Sequence, residues 1–127
     1  LAAADARASA VAAASAEEAE AAARERARVE AALREEAAAH ARQIGLELIY
    51  TLKTAVGDLD KIKKIVKVVG FVNCTDDYAQ QPEVINGCSN LLGEVFGDAG
   101  RHARSAVGVP VLPLDSPVEV EVIFTLA

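Results

Sequence analysis

Apolar positions along this chain change their period from segment to segment. From Glu35 to Val56, Ile44, Leu48, Leu52 and Val56 fall on one helical face with Ala41 and Ala55 beside them. That spacing predicts a helix, closed by Gly57-Asp58. From Lys61 to Cys74 the period shortens to two. Val66, Val68, Gly70 and Val72 alternate with Ile65, Val69 and Phe71, and Lys67 falls among the latter. A strand buried on one face and mostly buried on the other is the expected result.

Thr75-Asp76-Asp77 carries turn chemistry, and Pro82 suits the first turn of a second helix. This helix gathers Val84, Ile85, Cys88, Leu91, Leu92, Val95 and Phe96 on one side, and Gly97 and Gly100 stop it. Residues 103–112 and 118–126 then read as two strands joined through Pro113-Leu114-Asp115-Ser116-Pro117. In the second, Val118, Val120, Val122 and Phe124 face inward, opposite Glu119, Glu121, Ile123 and Thr125. Helix, strand, helix, strand, strand is the order of an α+β fold, a mixed sheet with two helices packed on one face.

Residues 1–34 are different. Alanine fills 17 of the 34 positions, with six acidic and five basic residues and no Gly, Pro or aromatic residue. Propensity alone makes this helix, yet Leu1, Val11, Val29 and Leu33 cannot form a continuous stripe. Two helices need a sheet wider than three strands to cover them. The expectation is therefore that residues 6–15 and part of 22–34 are extended, since tertiary context can override propensity. The whole of 1–127 is expected to be one domain, with 1–34 as an alanine-rich N-terminal region.

Composition removes several function classes. The chain has 127 residues, 52% of them hydrophobic, which suits a folded domain. A net charge of −6 lacks the clustered basic footprint of a nucleic-acid binder, so no nucleic-acid partner is expected. Lys61, Lys63, Lys64 and Lys67 form a basic cluster that reads as a solvated strand edge. Cys74 and Cys88 have no CxxC spacing and read as small buried hydrophobes, with neither disulfide nor metal site. No segment reads as a membrane span or signal peptide, and a cytoplasmic setting is expected.

The run Arg104-Ser105-Ala106-Val107-Gly108-Val109-Pro110-Val111-Leu112-Pro113, followed by Val118-Glu119-Val120-Glu121, resembles the signature of the Rid (reactive intermediate deaminase, or YjgF) family. That signature is R-S-x-V-x-V-x-x-L-P and then V-E-x-E. Leu59 to Lys67, and Asp77-Tyr78 through Val84-Ile85-Asn86, are similar to two further family segments. The resemblance implies a chorismate-mutase-like fold whose sheets pack into a homotrimeric barrel, with clefts for small carboxylates between subunits. With the alternation, it predicts that strands 103–112 and 118–126 line a shared interior and bury Val107, Val109, Val120 and Val122.

The same resemblance points to site residues. An arginine opening an apolar strand reads either as a structural ion pair or as a fork for a ligand carboxylate. The family's ligand arginine falls at Arg104. Ser105, Ala106 and Val107 would supply backbone contacts, and Asn86 matches a helix asparagine of the family, although a capping or inter-helix bond would also explain it. Glu119 reads as the solvent face of a strand, or, by the resemblance, as the acid that orients water. Two departures stand out. Ala106 replaces a cysteine common in the family, and the first aromatic residue is Tyr50, so the family's N-terminal tyrosine is missing. His102 reads as a surface or capping residue, and His40 has no assigned role.

Three functions follow as expectations. The first is hydrolysis of enamine or imine acids, such as 2-aminoacrylate, to keto acids and ammonia, which requires no metal or cofactor because an iminium carbon is already electrophilic. The second is a trimer that binds small carboxylates without turnover, which the two departures favour. The third, a ribonuclease or translation inhibitor, fits the acidic composition least.

Overall fold

The structure, a computed structural model, describes residues 2–127. Its elements are α1 (Ala2–Val56), β1 (Ile62–Asn73), α2 (Gln81–Phe96), β2 (Ala103–Val109) and β3 (Val118–Leu126), with 3-10 turns at Leu59–Lys61, Gly97–Gly100 and Pro113–Asp115. The chain divides into two compact units, one ending at Leu33 and the other comprising Arg34–Ala127.

The first unit is helical throughout its described residues, so the extended segments expected at 6–15 and 22–34 do not form. Alanine, glutamate and arginine favour helix at nearly every position, and no Gly or Pro interrupts them. Ion pairs between Arg24 and Glu20 and between Arg28 and Glu25 add a few tenths of a kcal/mol each, on the scale of about 0.3. A strand would have needed branched or aromatic residues, and only Val11 and Val29 qualify. Both are exposed, as is Leu33.

In the second unit the sheet order is β2-β1-β3, with β1 parallel to β2 and antiparallel to β3. The core lies between this sheet and the two helices. Ala41 and Leu52 of α1 meet Val84, Ile85, Cys88 and Leu92 of α2, over Ile65, Val68 and Val72 of β1 and Val118 of β3. Full burial of a side chain such as Ile65, Ile85 or Leu92 is worth about 2–3 kcal/mol before its entropy cost. Glycines set two close approaches. A Cβ on Gly70 would lie 2.4 Å from the Ile85 side chain, where α2 crosses β1. A Cβ on Gly87 would lie 2.0 Å from the Ala38 carbonyl oxygen, where α2 meets α1.

Two register shifts in the β1–β3 ladder, between Ile62 and Lys64 and between Ile65 and Lys67, alter the expected alternation. The extra residue at Val66 returns Ile65 to the same side as Val68, Gly70 and Val72. Ile65 is fully buried whereas Val66 is 39% exposed, the reverse of a strict period of two. In β3 the expected faces are observed. Val118, Val120, Val122 and Phe124 are opposite Val72, Gly70, Val68 and Ile65, towards the helices.

The four valines expected to share one interior do not share a face. Val107 pairs with Phe71 and Val109 with Asn73, on the side away from the helices. Val120 and Val122 pack against the helix-side core. Strand β2 also ends earlier than expected, at Val109, because Pro110 offers no N–H to a ladder. The side of the sheet away from the helices therefore carries Val69, Phe71, Val107, Val109 and Ile123 together with Lys67, Glu119 and Glu121. Val107 is 43% exposed and Ile123 57%.

Candidate functional site

Arg104 is the second residue of β2, on an edge that no other strand covers among the described residues. It pairs with Val68, whose side chain is buried under the helices, so Arg104 is directed to the helix side of the sheet. There it reaches α2. Its Nη1 donates to Asn86 Oδ1 at 2.8 Å and to Ser89 Oγ at 3.2 Å. Asn86 and Ser89 are one helical turn apart and present their polar groups to the same spot.

No described carboxylate forms an ion pair with Arg104, whereas Arg34 pairs with Glu83, Arg42 with Glu94 and Arg101 with Asp98. The structural ion pair allowed by the sequence is thus absent among the described residues. Two neutral acceptors hold Nη1, and Nε and Nη2 bond no described residue. Those two nitrogens form one edge of the guanidinium plane, with parallel donors spaced to match a carboxylate.

Ser89 leads to a residue with no expected site role. His102 Nε2 lies 2.9 Å from Ser89 Oγ, and its Nδ1 lies 2.6 Å from the Gly100 carbonyl oxygen. A sequence signal existed for both. Ser89 follows Asn86 by three residues on a helix, and His102 precedes Arg104 by two along an extended segment.

The remaining expected residues spread over both sides of the sheet. Ala106 pairs with Gly70 on the Arg104 side, while Ser105 and Val107 pair with Val69 and Phe71 on the other. The outward peptide groups of this edge strand remain available to a ligand. Glu119 pairs with Phe71 across β1, so it too lies on the side away from the helices. One chain does not bring Arg104 and Glu119 together. β1 separates their strands, and their partners on β1, Val68 and Phe71, are three residues apart, which places them about 14 Å apart in the sheet before their opposite directions are counted.

The cysteines contribute no nucleophile here. Burial pushes the Cys88 thiol up to about 11, and this residue is part of the core. Cys74 lies at an open recess with Asn73, Thr75, Asp76 and Pro110, which contains none of the expected site residues. No group of His, Cys, Asp and Glu suited to a metal ion occurs among the described residues. No described helix is long and apolar enough to cross a membrane.

Comparison with known proteins matches this architecture to relatives. The Trypanosoma cruzi protein TCP17 is 44% identical over 92 residues, covering 72% of this chain and 58% of that protein. The solved structure of Atu1372 from Agrobacterium tumefaciens, described as of unknown function, aligns with a TM-score of 0.72 at 38% identity, over 74% of this chain and 61% of that one. A structure from Shewanella oneidensis, described as "a putative endoribonuclease", aligns with a TM-score of 0.70 at 38% identity, over 73% and 62%. The chain thus spans about three fifths of the length of these relatives. The family model described as "YjgF/chorismate mutase-like, putative endoribonuclease" matches residues 25–126, and the chain belongs to that family.

Proposed function

We propose that this protein hydrolyses small enamine or imine acids to keto acids and ammonia, at clefts between the subunits of a homotrimer. The observation that carries the reading is the state of Arg104. Its Nη1 is fixed by Asn86 and Ser89, and its Nε and Nη2 are left without a described partner. A carboxylate can lie in the guanidinium plane and accept two parallel bonds there. The substrate's imine carbon would then lie beside β2, where outward peptide groups near Ser105–Val107 can hold the nitrogen.

The chemistry requires little more than placement. An enamine acid first becomes the imine by moving a proton from nitrogen to its terminal carbon. Water then adds to the imine carbon to give a carbinolamine, whose hydroxyl proton passes to nitrogen as it collapses to the keto acid and expels ammonia. A carboxylate that takes the water proton and returns it to the nitrogen balances the cycle. Glu119 is the candidate. Because it faces away from Arg104 within one chain, a neighbouring subunit would supply it. The apolar residues on the side away from the helices support such an assembly. Val69, Phe71, Val107, Val109 and Ile123 form the kind of patch that subunit packing covers.

Ammonia release tests this directly. A dehydratase acting on serine would generate 2-aminoacrylate, and adding this protein should speed formation of ammonia and pyruvate. Carboxylate binding without acceleration would favour the non-catalytic trimer instead. RNA cleavage under the same conditions, without deamination, would overturn both.

A further inference from the structure

The hydrogen bonds running from Gly100 to Arg104 have only one consistent set of proton positions when His102 is neutral. The Gly100 carbonyl oxygen can only accept, so His102 Nδ1, 2.6 Å away, carries the proton. Nε2 is then a bare acceptor, and Ser89 must donate its hydroxyl hydrogen across the 2.9 Å contact. The guanidinium can only donate, so Ser89 Oγ receives Arg104 Nη1 at 3.2 Å on a lone pair. Every bond in this chain has one donor and one acceptor. Asn86 Oδ1 takes the other bond from Nη1 at 2.8 Å.

We infer that His102 and Ser89 are positioning residues, whose ordered relay holds Arg104 Nη1 against α2 and so presents Nε and Nη2 as the binding edge for small α-keto and α-imino carboxylates. The inference rests on the proposed reading of Arg104 as the carboxylate fork. An exposed arginine otherwise samples many rotamers, and a ligand must select the productive one. Asn86 alone leaves the guanidinium able to pivot about one bond. The Ser89 bond removes that pivot, and His102 fixes which way the Ser89 hydroxyl points. His102 is itself held by the backbone of the Gly97–Gly100 turn, so the relay is anchored outside both α2 and β2.

Binding of 2-oxobutyrate, measured by calorimetry on the intact protein, tests the relay against five substitutions. Ser89→Ala removes the bridging oxygen, and His102→Asn keeps a donor near Nδ1 but loses the acceptor at Nε2. Each should weaken binding about tenfold, the scale of one lost hydrogen bond beside a charge, with little change in the thermal midpoint. His102→Gln places an amide oxygen near the Nε2 position and should recover most of the affinity, as should Ser89→Thr. Arg104→Ala should weaken binding further than any of them. Wild-type affinity in both Ser89→Ala and His102→Asn, with Arg104→Ala impaired, would overturn the relay and leave the fork standing. Unchanged affinity in Arg104→Ala would overturn the fork and the relay together. Nitrogen NMR of neutral His102 should show the Nδ1–H tautomer, and the Nε2–H tautomer would contradict the proton order.

Discussion

Arg104 and Glu119 point from opposite sides of one three-stranded sheet. Arg104 is paired with Val68, which is buried under the helices, and Glu119 with Phe71, which is on the other side. A ligand held by Arg104 therefore cannot meet Glu119 of the same chain. If both residues serve one reaction, each site takes one from either side of a subunit boundary. Mixing then has a definite outcome. Arg104→Ala and Glu119→Gln should each abolish deamination as homotrimers. When equal amounts are unfolded together and refolded, three quarters of random trimers are mixed and one site in three of those is intact, so about a quarter of wild-type activity should return. No recovery on mixing would contradict a shared site.

The side of the sheet away from the helices should carry the assembly. Phe71 lies there between Val107 and Glu119, so Phe71→Lys leaves the helix-side core untouched and gives Glu119 a partner within its own chain. Light scattering should report the mass of three chains for the wild type and of one for the variant, with circular dichroism unchanged. A wild-type mass of one or two chains would rule out the trimer.

Gly87 should tolerate no side chain. A Cβ there would lie 2.0 Å from the Ala38 carbonyl oxygen, which belongs to a helix backbone and cannot rotate away. Gly87→Ala should cost at least about 2 kcal/mol by urea denaturation, the upper part of the range for overpacking. Gly93→Ala is the control, because nothing lies within 4 Å of its added Cβ. That change should be neutral or slightly stabilising.

Cys88 gives the fold an alkaline limit. Burial pushes the folded thiol up to about 11, above the 9.0 of an exposed thiol. Below pH 9 both states are protonated and the stabilisation is fully present. As pH rises towards 11 the unfolded chain loses its proton first, so stability falls, by up to about 2–3 kcal/mol. Denaturation midpoints of the wild type should decline across this window more steeply than those of Cys88→Ala. Parallel declines would show that the thiol contributes nothing.

The second unit was legible in the sequence and the first was not, for physical reasons. The stripes of α2 and β3 were long and regular, so hydrophobic period identified both the elements and their buried faces. Strand β1 misled at Val66, because a bulge inserts one residue without any change in composition. At the N-terminus, the need for a wider sheet and the helix propensity of alanine point in opposite directions. Propensity prevailed, as no branched residues were present to hold strands together. Arg104 and Glu119 could each be singled out by motif. Their opposition could not, since it depends on the register of each strand against β1, which lies in pairing rather than in either segment. Ser89 was missed because its helical spacing from Asn86 gains meaning only once the strand that faces them, with Arg104 on it, is known.

A small carboxylate received on the Nε–Nη2 edge of Arg104 would bond the Nε–H, whose resonance therefore reports on the fork. Titrating pyruvate into nitrogen-15-labelled protein should move the Arg104 Nε–H signal, identified by its absence in Arg104→Lys, downfield and to saturation as the bond forms. Other arginine signals should stay in place. An Arg104 resonance that stays fixed through a pyruvate titration, in a protein whose mass confirms the trimer, would contradict the account.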